Sequence, residues 1–194
     1  VTDNPFNFDN TLPKVTFTPE KNETPAKSQS VNVNVTDTNL NTSSLKYLWT
    51  EANSQPQASS ITNPFTNNGS ITISEGSGNR YIWILAYDTA GNELISGTGP
   101  YLIDNTPPTV SLDYKGTTSS ITVNVDAKDD HSGIASYSYT IQEVGGSYTQ
   151  TVTDGASHTF SSLKQNTKYT VTVTVTDNSG NTTTRTTEEI TTAG

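Results

Sequence analysis

The feature that most constrains the fold is the alternation of apolar residues and threonines in KYTVTVTVTD, residues 168–177. Every second residue from Tyr169 to Val175 is aromatic or β-branched. In an extended chain, successive side chains point to opposite faces, so these residues share one face. Residues of this kind also favour strands. The segment is therefore predicted to be a strand with one apolar and one hydroxyl-bearing face.

A second segment, RYIWILAYDTAGN at residues 80–92, follows the same plan in the first half of the chain. Both segments run into the pattern D-x-x-G-N, which begins at Asp88 and at Asp177. Aligning these two aspartates predicts three inward-facing residues in the first segment: Ile82, Ile84 and Ala86. Shorter strand-like segments fill both halves, and none shows the 3.6-residue period of a helix.

A repeated phrase divides the chain. FDNTLPKV at residues 8–15 returns as LIDNTPPTV at residues 102–110, and its aspartates Asp9 and Asp104 are 95 residues apart. This spacing is about the length of one immunoglobulin-sized β-sandwich. We therefore predict a lead-in or the tail of a preceding module at 1–10, one sandwich at 11–103 and a second at 104–194. Pro107 and Pro108 predict a short, stiff linker between them.

Composition excludes several function classes. The chain carries 10 Lys and Arg against 19 Asp and Glu, a net charge of −9, and no basic cluster that could neutralise a phosphate backbone. Neither nucleic acid nor a membrane is expected as a partner. No long apolar run predicts a membrane-spanning helix, and the first residues do not resemble a signal peptide. Cysteine is absent, which excludes thiolate metal sites and cysteine nucleophiles.

Specific motifs resemble known families. LKQNTKY at residues 163–169 resembles the L-x-P-x-T-x-Y signature of fibronectin type III domains, with Gln165 in place of the proline. The resemblance implies that the Tyr169 hydroxyl bonds to the backbone near residues 163–166. The first half resembles bacterial Ig-like modules of Gram-positive surface proteins and some phage tail proteins. The predicted fold class is all-β, with an Ig-like sandwich followed by a fibronectin type III-like sandwich.

No catalytic residues are predicted. Asp129, Asp130, His131 and Ser132 place a carboxylate, an imidazole and a hydroxyl side by side, but working triads gather such groups from separated segments. A polar turn between strands that ends in Gly133 explains the same residues more simply. The chain is therefore expected not to be an enzyme.

Acidic and amide side chains crowd around the predicted domain boundary. Such oxygen-bearing groups are the ligands that calcium prefers. The arrangement loosely resembles cadherins, which stiffen a domain junction with calcium. The candidate ligands are Asp88, Asp104, Asn105, Asp126, Asp129 and Asp130. Turn formation explains the same residues, because Asp and Asn bond their own backbone in turns. No other cofactor is expected.

Aromatic residues suggest a ligand surface on the 80–88 strand. Its face opposite Ile82 carries an apolar stripe, consisting of Tyr81, Trp83, Leu85 and Tyr87. An exposed stripe of this kind would suit a glycan ring or a protein partner, with Tyr81, Trp83 and Tyr87 as candidate binding residues. The alternative is that both faces of the strand are covered by other parts of the domain.

These observations lead to an expected role as a non-catalytic spacer or stalk in a larger extracellular bacterial surface or secreted protein. Neighbouring modules of the same chain are its expected partners. One alternative is an adhesion or carbohydrate-binding module that engages a glycan or a host protein. Another is a pair of accessory domains in a secreted hydrolase or a phage tail protein.

Overall fold

The computed structural model describes residues 8–194, whose regular secondary structure is almost entirely β-strand. Two compact units divide between Ile103 and Asp104. A 3-10 helix at Ala58–Ser60 is the one helix in residues 8–194. The all-β prediction is confirmed. Residues 1–7 of the predicted lead-in lie outside the described residues, and Asp9, also assigned to that lead-in, contacts the first unit.

The first unit forms two sheets. Its strands are β1 (Lys14–Thr18), β2 (Asn22–Ala26), β3 (Gln29–Thr36), β4 (Leu40–Thr50), β5 (Asn63–Pro64), β6 (Gly69–Ile73), β7 (Gly78–Asp88) and β8 (Glu93–Ile103). One sheet has the order β1-β3-β6 and the other β2-β8-β7-β4-β5. Apolar residues from both sheets pack into one core, including Val33 of β3 and Ile82 and Ile84 of β7. The unit is therefore a two-layer sandwich.

The second unit repeats this architecture. Its strands are β9 (Thr109–Gly116), β10 (Ile121–Lys128), β11 (Ile134–Glu143), β12 (Thr149–Asp154), β13 (Ser157–Phe160), β14 (Lys168–Asp177), β15 (Thr182–Thr186) and β16 (Ile190–Thr191). One sheet runs β13-β10-β9, and the other runs β12-β11-β14-β15, with β16 also paired to β14. Val123 of β10 and Val173 of β14 are fully buried in the shared core.

Burial on β14 follows the predicted alternation. Its apolar residues from Tyr169 to Val175 are at most 1% exposed, while the threonines between them are half-buried. The three residues predicted to face inward on β7 are fully buried. The backbone N–H of Lys164 donates to the Tyr169 hydroxyl at 3.1 Å, within the predicted stretch 163–166. The predicted tyrosine-to-backbone bond is therefore confirmed.

Candidate metal centres

Three carboxylates meet in the first unit where its strands begin and end. Asp9 precedes β1, Asp37 follows β3, and Asp88 ends β7. Each side chain offers an oxygen, and the three oxygens lie within 4.8 Å of one another. Asp88 is buried, whereas Asp9 and Asp37 are half-buried. We call these three residues the first cluster.

The second unit contains a matching group, which we call the second cluster. Asp104 precedes β9, Asp129 follows β10, and Asp177 ends β14, and their ligand oxygens also lie within 4.8 Å of one another. This group is more deeply placed than the first, because Asp104 is fully buried and Asp177 is 1% exposed. Each cluster thus combines one aspartate from the segment before the first strand of its unit with two aspartates at or just after strand ends.

The D-x-x-G-N turn holds Asp177 in place. Its Oδ1 atom accepts the backbone N–H groups of Ser179 and Asn181 at 2.9 and 2.8 Å. The Asn181 amide donates to Asp177 Oδ2 at 2.8 Å and to the Asp104 carbonyl at 3.0 Å. Gly180 has a φ of +90°, which favours glycine at this position of the turn. The turn therefore fixes the carboxylate and ties it to the segment that leads into the unit.

The first unit uses the same bonds. The Asn92 backbone N–H donates to Asp88 Oδ1 at 2.8 Å. Its side-chain amide donates to Asp88 Oδ2 at 2.7 Å and to the Asp9 carbonyl at 2.8 Å. Gly91 repeats the φ of +90°. The common pattern D-x-x-G-N therefore produces the same local structure twice.

Asp129 organises its own loop. Its Oδ1 atom accepts backbone N–H groups from His131, Ser132 and Gly133 at 3.2, 2.7 and 2.9 Å. Desolvation by burial raises the pKa of the Asp129 carboxyl, but these hydrogen bonds together outweigh it and hold the pKa below its ordinary value. The other oxygen, Oδ2, is buried and accepts no hydrogen bond from residues 8–194. The run that includes His131 and Ser132 is thus a turn around a carboxylate.

Asn39 distinguishes the first cluster from the second. Its backbone N–H donates to Asp37 at 2.7 Å, and its side-chain amide donates to Asp9 Oδ2 at 3.0 Å. This side-chain hydrogen bond, together with one from the backbone N–H of Thr11, lowers the pKa of Asp9. The residue at the same distance beyond Asp129 is His131, which is exposed. The first cluster therefore contains an amide donor where the second has an imidazole side chain directed to the surface.

The structure distributes the predicted calcium ligands unevenly. It brings Asp104 and Asp129 together and adds Asp177, which was not among the predicted ligands. Asp88 lies in the first unit and joins Asp9 and Asp37 instead. Two other candidates fall outside both clusters: Asp126 is exposed on β10, and Asp130 forms a surface ion pair with Lys128. Asn105 is half-buried and follows Asp104 in the chain. A comparison of the two D-x-x-G-N turns was the sequence signal that could have identified Asp177.

The predicted exposed aromatic face requires correction. Trp83 is 8% exposed and packs with Leu85 against Ile61, in the segment that contains the 3-10 helix. Its indole N–H donates to the Thr50 hydroxyl at 2.9 Å. The ring also lies against Gly97 of β8, where an added Cβ atom would come within 2.4 Å of it. Both faces of β7 are therefore covered at Trp83, which is a packing residue.

The two tyrosines of the predicted ligand surface are half-buried. The Tyr87 hydroxyl donates to the Glu93 carboxylate, and this bond raises the pKa of the phenol. Tyr87 also packs at the edge of the group around Trp83. Tyr81 lies close to Gly99, where a Cβ atom would come within 2.8 Å of its ring. With Trp83 covered, these two rings do not form the continuous aromatic stripe that the sequence suggested.

Comparison with known proteins finds similarity to Ig-like and fibronectin type III-like modules. Residues 156–189 match the family model of the Bacterial Ig-like domain (group 3). No curated protein sequence matches the chain significantly. In residues 8–194, no helix is long and apolar enough to cross a membrane. The predicted resemblance to these modules is confirmed.

Three solved structures illustrate the similarity. The FN1–FN3 domains of chicken CNTN1 align with a TM-score of 0.39 and 16% identity, over 88% of this chain and 62% of that one. A multidomain fragment of titin aligns with a TM-score of 0.46 and 12% identity, over 95% of this chain and 67% of that one. The fibronectin(III)-like modules of Clostridium thermocellum CbhA align with a TM-score of 0.38 and 12% identity, over 93% of this chain and 94% of that one. The chain thus spans less than two thirds of the CNTN1 fragment.

Proposed function

We propose that the chain is a pair of repeated structural modules that act as a spacer in a larger extracellular bacterial protein. One observation carries the proposal. In each unit, the segment before the first sheet strand is bonded to the D-x-x-G-N turn of the same unit, through Asn92 in the first and Asn181 in the second. Each unit therefore secures its own leading segment, as expected of a module that is repeated along a chain.

The linker sequence favours a stiff connection. Pro107 and Pro108 fix their own φ angles and restrict the residue before each of them to extended geometry. The Pro108 carbonyl also accepts the Thr183 hydroxyl at 2.6 Å, which anchors the end of this segment to the second unit. A short, anchored linker limits bending, and a spacer requires limited bending.

The loop at Asp129 supports a non-catalytic role. The acid of a catalytic triad must bond and orient the imidazole of the base. Asp129 Oδ1 is occupied by backbone N–H groups and the Ser132 hydroxyl, so the carboxylate serves the turn and does not orient His131. The family match at residues 156–189 and the lack of cysteine fit an extracellular module with other modules of its parent protein as neighbours.

Small-angle X-ray scattering of the whole chain tests the spacer role. A compact globule of 194 residues has a radius of gyration of about 16 Å. A spacer should give a clearly larger value and a pair-distance distribution with a long tail. Replacing both linker prolines by glycine should broaden that distribution while leaving the circular dichroism spectrum unchanged. A radius near the compact value, or a distribution that the double substitution does not change, would contradict the proposal.

A further inference from the structure

We propose that Asn68 and Gly69 form a self-modification site, at which the asparagine loses its side-chain amide and becomes aspartate or isoaspartate. The reaction consumes water and releases ammonia, and it needs neither an enzyme nor a cofactor. Asn68 and Gly69 are the one Asn-Gly pair in the sequence. The inference goes beyond the spacer role and does not depend on it.

A tight turn before β6 explains why these two residue types occupy these positions. The Gly69 backbone N–H donates to the Thr66 carbonyl at 3.1 Å, which closes a β-turn over residues 66–69. Asn68 has a φ of +57°, a conformation that glycine and asparagine tolerate better than most residues. A Cβ atom at position 69 would come within 2.7 Å of the Thr66 carbonyl oxygen. The geometry of the turn therefore favours both members of the pair.

The Asn68 side chain is not held by the fold. Asn68 is exposed, and within residues 8–194 its side-chain amide takes part in no hydrogen bond. The adjacent Asn67 is different, because its Oδ1 atom accepts the Val35 backbone N–H at 2.8 Å and its Nδ2 atom donates to the Val35 carbonyl at 2.8 Å. Rotation of the Asn68 side chain towards the next backbone nitrogen therefore breaks no side-chain hydrogen bond.

The chemistry uses the backbone nitrogen of Gly69 as the nucleophile. Glycine has no Cβ atom to hinder the approach. The nitrogen loses its proton to solvent and attacks Asn68 Cγ, so that a C–N bond forms and closes a succinimide ring. The bond from Cγ to Nδ2 breaks, and the amide nitrogen takes up protons from solvent and leaves as ammonia. Water then opens the ring at Cγ to give aspartate, or at the main-chain carbonyl to give isoaspartate.

One backbone hydrogen bond opposes this reaction in the folded chain. The Gly69 N–H must leave the Thr66 carbonyl before its nitrogen can attack. Among the described strands, β6 lies at the edge of its sheet and pairs only with β3, so the turn at its start can open without disturbing another strand. Local openings of exposed turns and edges cost less free energy than global unfolding. The native state therefore has a route to the reaction.

The isoaspartate product should disturb the pairing of β6 with β3. The Asn68 backbone N–H donates to the Val33 carbonyl at 2.8 Å, and the Asn68 carbonyl accepts the Asn32 side-chain amide at 3.0 Å. Gly69 pairs directly with Val33, which is fully buried. Isoaspartate lengthens the main chain by a methylene group between these anchored positions. Aspartate leaves the main chain unchanged, although both products add a negative charge.

Incubation of the whole folded chain at mildly alkaline pH tests the site. Peptide mapping by mass spectrometry and enzymatic methylation of isoaspartate should show that Asn68 converts first. Asn53 is the control within the same chain, because it is exposed and precedes a small residue, Ser54, in place of glycine. Conversion should be slower at mildly acidic pH, since the glycine nitrogen attacks only after it has lost its proton. The variant Asn68→Gly suits a positive φ and should lose the early release of ammonia.

Thermal unfolding tests the structural consequence. Trp49 and Trp83 both lie in the first unit, so their fluorescence reports the unfolding of the unit that contains the site. The isoaspartate fraction, separated by ion exchange, should melt at a lower temperature than the unmodified chain. The matched variant Asn68→Asp carries the same added charge without the extra methylene group, and its melting temperature should stay close to that of the unmodified chain.

Each unfavourable outcome refutes a defined part of the proposal. If Asn68 converts no faster than Asn53, the pair is not a modification site. Conversion only when urea unfolds the chain would mean that the Gly69 hydrogen bond closes the site in the native state. An isoaspartate fraction that melts with Asn68→Asp would refute the effect on β6. None of these results bears on the scattering test of the spacer role, so the two proposals can fail separately.

Discussion

Replacing Asn181 by alanine should destabilise the second unit strongly. The 7% exposed side chain donates to the Asp104 carbonyl at 3.0 Å and to the Asp177 carboxylate at 2.8 Å. A net hydrogen bond between neutral groups contributes about 1 kcal/mol, and one to a charged group about 2 kcal/mol. The substitution should therefore lower the free energy of unfolding of the second unit by about 3 kcal/mol. For a unit of this size, that corresponds to a fall in melting temperature of roughly 15 °C.

The positions of the tryptophans allow a selective assay. Trp49 and Trp83 both lie in the first unit, so tryptophan fluorescence reports the unfolding of that unit alone. Circular dichroism and calorimetry report both units. Asn181→Ala should shift a calorimetric transition that has no tryptophan signal and leave the fluorescence transition in place. The matched variant Asn92→Ala should do the reverse, because its side chain makes the equivalent bonds in the first unit.

Two results would refute this reasoning. A shift of less than about 3 °C would mean that the hydrogen bonds of the Asn181 side chain stabilise the unit little more than the hydrogen bonds to water that they replace. That result would contradict the range expected for buried groups. Movement of the tryptophan transition in Asn181→Ala would mean that the two units do not unfold separately. In that case, it would be wrong to assign a separate stability to each of the two modules.

Three further predictions concern single side chains. Tyr169→Phe should lower the free energy of unfolding by about 1 kcal/mol in urea melts followed by circular dichroism, because the part-buried bond from the Lys164 backbone N–H loses its acceptor; an unchanged midpoint would contradict this. Gly97→Ala should cost about 1–3 kcal/mol in melts followed by tryptophan fluorescence, since its Cβ atom would overlap the Trp83 ring; full stability would show that the ring moves freely. The lowered pKa of Asp129 adds stability above its unfolded value of 3.8 that is lost as the pH falls through the folded value. Asp129→Asn should therefore be less stable than the natural chain at neutral pH and equally stable once the carboxyl is protonated; a constant difference across this acid range would refute the linkage.

Several features of the fold follow from local sequence. The apolar face of β14 could be predicted because side chains alternate in any extended strand, whatever packs against it. The Tyr169 bond to the neighbouring backbone could be predicted because the motif at residues 163–169 sets both partners within five residues of each other. The D-x-x-G-N turns are local in the same sense, since aspartate, glycine and asparagine act there within one turn.

The two features that concern the candidate sites depended on longer distances. The sequence placed Trp83 opposite the core, but only the folded chain brings Ile61 and the 3-10 helix over that face of β7. Periodicity describes one strand at a time, so it cannot show whether a connecting segment covers the outer face of a sheet. For this reason the aromatic stripe was predicted to be exposed although its tryptophan is buried.

The carboxylates show the same division between local and tertiary information. From sequence alone, Asp104, Asp129 and Asp177 could each be assigned to a turn or a strand end, because their neighbours dictate those local structures. Their meeting was decided by the pairing of β-strands and the packing of two sheets, which bring together residues that are as many as 73 positions apart in the chain. Strand pairing and sheet packing depend on contacts across the whole unit, so only the tertiary structure could separate Asp88 from Asp104 and place Asp177 beside Asp129.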